Sequence, residues 1–271
     1  MSAWSRCGAW LAAVVMLAWV GMAEARIESS AAGGPGDFPA ADVAAFAKQV
    51  EGALAARGAR VALLARVGRP PATLPRGIRY THTAFAVYSA IERADGTAGR
   101  GYAIYNLYQY RERPDASYLA VDYPADFFAA AAELRAGVVI PAPALQEALL
   151  EVIGSARYAA LHNPRYSVMS NPFDLRYQNC TEHVLDVVQA ALYGYHDRGA
   201  IKQVSAQYFE PQPVAIGRAR LWLGSLFHSG VALDDHDRAV ATATFTTIAR
   251  YLERYGLLAE QLELVPGHEA H

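Results

Sequence analysis

Tyr80-Thr81-His82-Thr83-Ala84-Phe85-Ala86-Val87-Tyr88 reads as part of a β-strand, because aromatic, β-branched and small apolar residues dominate it. One imidazole, His82, interrupts it. Two stretches of the same character flank this Tyr80 to Ile91 segment: Arg60 to Val67 before it and Gly101 to Tyr110 after it. The turn-like segments Gly68 to Gly77 and Ala94 to Gly99 separate the three, so an antiparallel meander is the simplest arrangement. A shorter run, Tyr118 to Val121, adds a strand before Pro124 opens a helix through about Leu134.

Outside this β-rich block the apolar period lengthens to that of a helix. Val43, Phe46, Val50 and Leu54 recur at helical spacing across Ala40 to Ala56, and Gly58 stands where a stop is expected. The same period runs from Pro143 to His162, ended by Asn163-Pro164. It returns from about Cys180 to Tyr193, where Val184, Val187, Val188 and Ala191 form an inner face. A short helix near Ala219 to Phe227 and a final one from about Thr244 to Tyr255 complete the reading. The class is α+β, a small antiparallel sheet packed against helices.

The chain has 271 residues, 53% of them hydrophobic, and a formal net charge of −2. That charge, with Lys and Arg scattered, gives no electrostatic basis for a nucleic-acid partner. Met1 to Arg6 carry a positive charge, Ala9 to Met22 are apolar, and Ala23-Glu24-Ala25 supplies small residues, the order of a secretory signal peptide cleaved after Ala25. An uncleaved anchor is the alternative, but the apolar core is shorter than the about 20 residues of a span. Residues 26–38, rich in Ala, Gly, Ser and Pro, read as a flexible linker, and 39–271 as one domain. The expected location is therefore periplasmic or secreted, with no stable membrane anchor after cleavage. Of the 2 cysteines, Cys7 leaves with the signal, so Cys180 has no partner within the chain. An odd thiol in an exported protein is either reactive or buried and inert.

The residues around Cys180 favour chemistry. Asn179 is a good N-cap and Glu182, three residues on, completes a capping-box pattern. Cys180 then occupies the first helical position, where free backbone N–H groups and the helix dipole favour a thiolate. A nucleophilic thiol needs a base. His82 is the first choice and His183, on the cysteine's own helix, the rival. Asn106 on the next strand would orient the imidazole and fix its tautomer, with Gln109 as the alternative. Tyr177, Gln178 and Asn179 precede the sulfur and are read as lining a substrate cleft.

The order of a strand histidine in Tyr80-Thr81-His82-Thr83-Ala84-Phe85, a polar residue on the following strand, and a later helix-opening cysteine in Asn179-Cys180-Thr181-Glu182 resembles the circularly permuted NlpC-like papain-fold proteins. Over most of the mature chain, including Leu107-Tyr108-Gln109 and Asn171-Pro172-Phe173, the sequence is also similar to a bacterial exported family, domain of unknown function 2145. The resemblance implies a papain-like fold and thiol-dependent hydrolysis or transfer at an amide or ester, with cell-envelope peptides or lipids as substrates. Its third position is Asn or Gln here, where such folds commonly carry His or an acid.

Two function classes stay open: a cysteine hydrolase or acyltransferase using Cys180, His82 and Asn106, and a non-catalytic binding or envelope-assembly protein that keeps the papain-like shape. No Gly-rich phosphate loop, dinucleotide fingerprint or His-Glu-x-x-His pattern occurs, so no cofactor is expected. The cluster Asp234, Asp235, His236, Asp237 lacks the spacing of an EF-hand or zinc helix and reads as a solvated loop, with no metal expected. Asp122 and Asp126, on either side of Pro124, read as caps of the helix there, without chemistry.

Overall fold

The computed structural model describes residues 38–92, 96–215, 231–237 and 239–270. The expected signal peptide, nearly all of the expected linker and the expected helix at Ala219 to Phe227 lie outside them. After the helix α1 (Ala40–Ala56), the meander forms as β1 (Val61–Val67), β2 (His82–Glu92), β3 (Ala98–Gln109) and β4 (Ser117–Asp122). Each pairs antiparallel with the next, Leu64 opposite Ala84, Phe85 opposite Tyr105 and Asn106 opposite Ala120.

The next segment corrects the sequence reading. The helix opened by Pro124, α2 (Pro124–Ala129), is short, and the chain turns directly into β5 (Glu133–Pro141). This strand pairs with the free side of β1, Leu64 opposite Val138. The long helix expected to His162 is likewise two, α3 (Pro143–Ile153) and α4 (Ala156–Ala160), because Gly154 ends the first and the Ser155 hydroxyl caps the second. There follow α5 (Cys180–Tyr193), α6 (Arg198–Tyr208) and a two-residue pair, β6 (Gln212–Pro213) with β7 (Ala241–Thr242). Next comes α7 (Phe245–Arg254), opened by a Thr244/Thr247 capping box. Finally β8 (Leu258–Val265) and β9 (His268–Ala270) extend the sheet to seven strands, ordered β4-β3-β2-β1-β5-β8-β9 and antiparallel throughout.

Strand alternation divides the sheet's side chains between two cores. Ala62, Leu64, Ala84, Ala86, Ile104 and Val138 face α1 and α2, where Phe46, Phe127 and Phe128 close over them. Leu63, Ala65, Phe85, Val87 and Val139 face the other way, against α3, α5 and α7. A fully buried Leu or Phe in either layer contributes about 1.5–3 kcal/mol. Gly137 lets α7 approach β5: a Cβ there would lie 2.7 Å from the Phe245 ring and 2.8 Å from that of Tyr80.

Candidate functional site

Asn179 sets the start of α5. Its extended backbone and side-chain Oδ1, which accepts from the Glu182 N–H at 2.9 Å, make the N-cap, while Nδ2 donates to Val168 O and Thr242 Oγ1. The return half of a capping box is missing. Glu182 instead turns inward to the Lys202 ammonium at 2.6 Å, which also reaches Asp186 at 2.7 Å.

Cys180 is the first residue of that helix and is 4% exposed, packed with Leu107 and Tyr166. Its sulfur lies 4.0 Å from Thr81 O and 3.8 Å from Thr181 Oγ1. Burial pushes the thiol above its usual pKa. The backbone N–H of Thr83, the hydroxyl and N–H of Thr181, and the nearby Arg66 charge all favour the thiolate, but less strongly. The lowered value expected at a helix start therefore does not hold, because desolvation outweighs these hydrogen bonds and the Arg66 charge.

His82 begins β2, and its ring lies on the α2 side of the sheet, stacked on Tyr108 at 4.9 Å and tilted against Phe127 at 5.6 Å. Its Nε2 is 3.0 Å from Asn106 Oδ1. The Asn106 amide is oriented by two acceptors: Nδ2 donates to Ile104 O at 2.9 Å and to Asp122 Oδ2 at 3.0 Å. Its oxygen must then face the ring, so Nε2 carries the proton and Nδ1 keeps a lone pair. Asp122 Oδ2 also accepts from the Tyr108 hydroxyl at 2.5 Å. Burial, reinforced by the Arg66 charge, lowers the imidazole pKa to about 3, with the Asn106 bond opposing. The ring is neutral at any physiological pH.

Imidazole and thiol thus approach from opposite faces of β2, near its first residues. The sulfur touches the backbone on either side of His82. No hydrogen bond joins Cys180 to His82 among the described residues. Both line a cavity of about 160 Å³ at the ends of β1, β2 and β3, with Arg66, Tyr108, Asn179 and Thr181 also in its wall.

The other expected residues are placed differently. Gln109 lines the cavity but donates to Pro114 O, away from the imidazole. Gln178 is fully buried beneath it, bonded to Leu161 O, Asp186 and the Asn163 N–H. Tyr177 is outside the lining, with the Arg165 guanidinium 4.8 Å over its ring. Of the three residues expected to line a cleft, only Asn179 does. His183 faces Tyr158 and His162 and is not among the residues lining the cavity. The acidic loop serves structure: Asp235 accepts from the Asn171 N–H and His236 bonds Met169 O.

Two residues of the site were not anticipated. Asp122 caps nothing, since the N-cap of α2 is Tyr123 without a side-chain bond. It anchors Asn106 instead. Arg66, Cα partner of His82, is 4% exposed and donates to Phe127 O. Alternation along β1 to β4 puts Arg66, His82, Asn106, Tyr108 and Asp122 on one face, a signal present in the sequence once register is known.

Residues 53–252 match a family described as an uncharacterized protein conserved in bacteria, DUF2145. No curated protein and no solved structure matches the chain.

Proposed function

The chain belongs to this bacterial family, and we propose, from the chemistry of its cavity, that it is an exported thiol-dependent hydrolase or acyltransferase acting on an amide or ester of the cell envelope. The fold relation we propose is to circularly permuted NlpC-like papain-fold enzymes. One observation supports the reading: the Cys180 sulfur lies 4.0 Å from the backbone carbonyl that precedes His82, whose Nε2 is tied to Asn106 so that Nδ1 keeps a lone pair. In the reaction the thiol proton passes to Nδ1 as sulfur bonds the acyl carbon. The C–N or C–O bond then breaks and the imidazolium protonates the leaving amine or alcohol. Water, or another acceptor, gives its proton to Nδ1 as it attacks the thioester, and the departing sulfur is reprotonated. Both groups rest neutral, so general-base transfer on attack replaces a standing ion pair.

The burial of the sulfur supports a second reading, a binding or envelope-assembly protein retaining the shape without the activity. Alkylation by iodoacetamide from pH 5 to 9 separates them. An enzyme is expected to react at Cys180 well below pH 8, with a rate that falls about 100-fold in His82→Ala, the lower part of the range for general-base catalysis. Reaction only near pH 9, unchanged in His82→Ala, would favour the second reading.

A further inference from the structure

Arg66 is a buried charge without an ion-pair partner among the described residues. It sits on a central strand, 4% exposed, between the rings of Phe127 at 5.0 Å and Tyr108 at 5.9 Å. Its guanidinium donates to Phe127 O, yet its buried Nε has no hydrogen-bond partner. The nearest carboxylate in its surroundings, Asp122, is already engaged by Asn106 and Tyr108. No salt bridge joins Arg66 to any acid among the described residues. A buried cation without a bonded anion costs several kcal/mol, and burial lowers the Arg66 pKa accordingly. Its five N–H donors form a planar fork matched to a carboxylate.

Arg66 also lines the cavity shared by Cys180 and His82, with Arg69 further along the same wall. The size of that space narrows the ligand. A dry cavity of about 150 Å³ holds a benzene-sized molecule, so about 160 Å³ matches a short group of a few non-hydrogen atoms beside Cys180.

We infer that Arg66 is a carboxylate-binding residue, and that the acyl compounds handled at Cys180 carry a free carboxylate within a few bonds of the reacting carbonyl. This deepens the hydrolase reading and rests on it. The substrate class is then the carboxyl-terminal residue of a short peptide or a similar acid, rather than a lipid ester.

Iodoacetate and iodoacetamide provide the test, since they differ only in the carboxylate. In both, sulfur bonds the methylene carbon, iodide leaves, and the thiol proton goes to His82 or solvent. The wild-type protein is expected to show an iodoacetate-to-iodoacetamide rate ratio at least tenfold above that of N-acetylcysteine. The ratio should fall to the free-thiol value in Arg66→Gln, fall partway in Arg66→Lys, and persist in Arg69→Gln. A wild-type ratio no higher than that of the free thiol overturns the inference, whether or not the variants fold. So does a ratio unchanged in a folded Arg66→Gln. The iodoacetamide rate alone, compared with His82→Ala, reports on the nucleophile, so the two claims can fail separately. Should neither reagent reach the sulfur, the nucleophile reading fails. Thermal unfolding of Cys180→Ser with N-acetylalanine and with N-acetylalaninamide then decides the carboxylate site. Stabilisation by the acid alone, lost with Arg66→Gln, supports it; equal effects of acid and amide overturn it.

Discussion

A neutral imidazole is held here by a chain of three side chains. Asn106 reads His82 through its oxygen because Asp122 and Ile104 claim its nitrogen. Asp122→Ala removes the carboxylate that accepts from the Tyr108 hydroxyl and from the Asn106 amide, at about 1–3 kcal/mol each, and is expected to lower stability by about 2–6 kcal/mol in urea unfolding. It should also slow Cys180 alkylation, since the amide is then free to flip. Asn106→Ala is expected to slow alkylation about tenfold without shifting its pH midpoint upward; an unaltered rate would deny Asn106 an orienting role. His82 and Asn106 could be picked out beforehand because a polar group in an apolar strand is conspicuous. Asp122 and Arg66 could not. Each stands near a strand end beside turn residues, where charge is ordinary, and only the pairing of Arg66 with His82 and the one-face alternation reveal that they point inward.

At the level of elements, legibility followed pattern. α1 and α7 bury one apolar stripe and their periods are plain. β5, in Glu133-Leu134-Arg135-Ala136-Gly137-Val138-Val139-Ile140-Pro141, is central and covered on both faces, so its continuous apolar run has no alternation to read and merges with the helix before it. α6 escaped notice for the opposite reason: Lys202 and Ser205 share its inner face with Ile201 and Val204, so the apolar stripe is broken by groups that serve a buried polar network. That network fastens α6 to the cysteine helix. Lys202→Met takes the hydrogen-bonded ammonium from Glu182 and Asp186, which are both fully buried, leaves them only the more distant Arg198 cation at 3.7 and 3.6 Å, and is expected to cost up to about 3–5 kcal/mol. Asn179→Ala removes the N-cap of α5, and a loss of about 0.5–2 kcal/mol is expected in thermal or urea unfolding. A stability within error of wild type would mean that the cap bond contributes little here.

The whole molecule should be sensitive to acid. His82 and His183 are buried and each falls to about 3, chiefly through burial. Below their unfolded value near 6.5 the unfolded chain binds protons that the folded one refuses, so the stability present above pH 6.5 is lost as pH drops towards 3. Glu182 works the other way: burial raises it to about 7, so through this group stability rises as pH falls from 7 towards 4.5. Through these three groups the balance is a net loss between about pH 6.5 and 4.5, to which His162, also lowered by burial, adds. The urea midpoint should drop over that interval, and less steeply in His183→Leu; a flat midpoint would contradict the buried neutral rings.

At the same scale, Gln49 of α1 grips the far end of the chain, its amide donating to Val265 O and His268 O and accepting from the Gly267 N–H. Leu262 and Leu264 of β8 close the same layer. The first helix therefore has no finished berth until the last hairpin has been delivered. A ribosome would hold it loose until that hairpin has emerged, and a copy shortened before Leu258 should fail to give the cooperative unfolding transition of the intact protein.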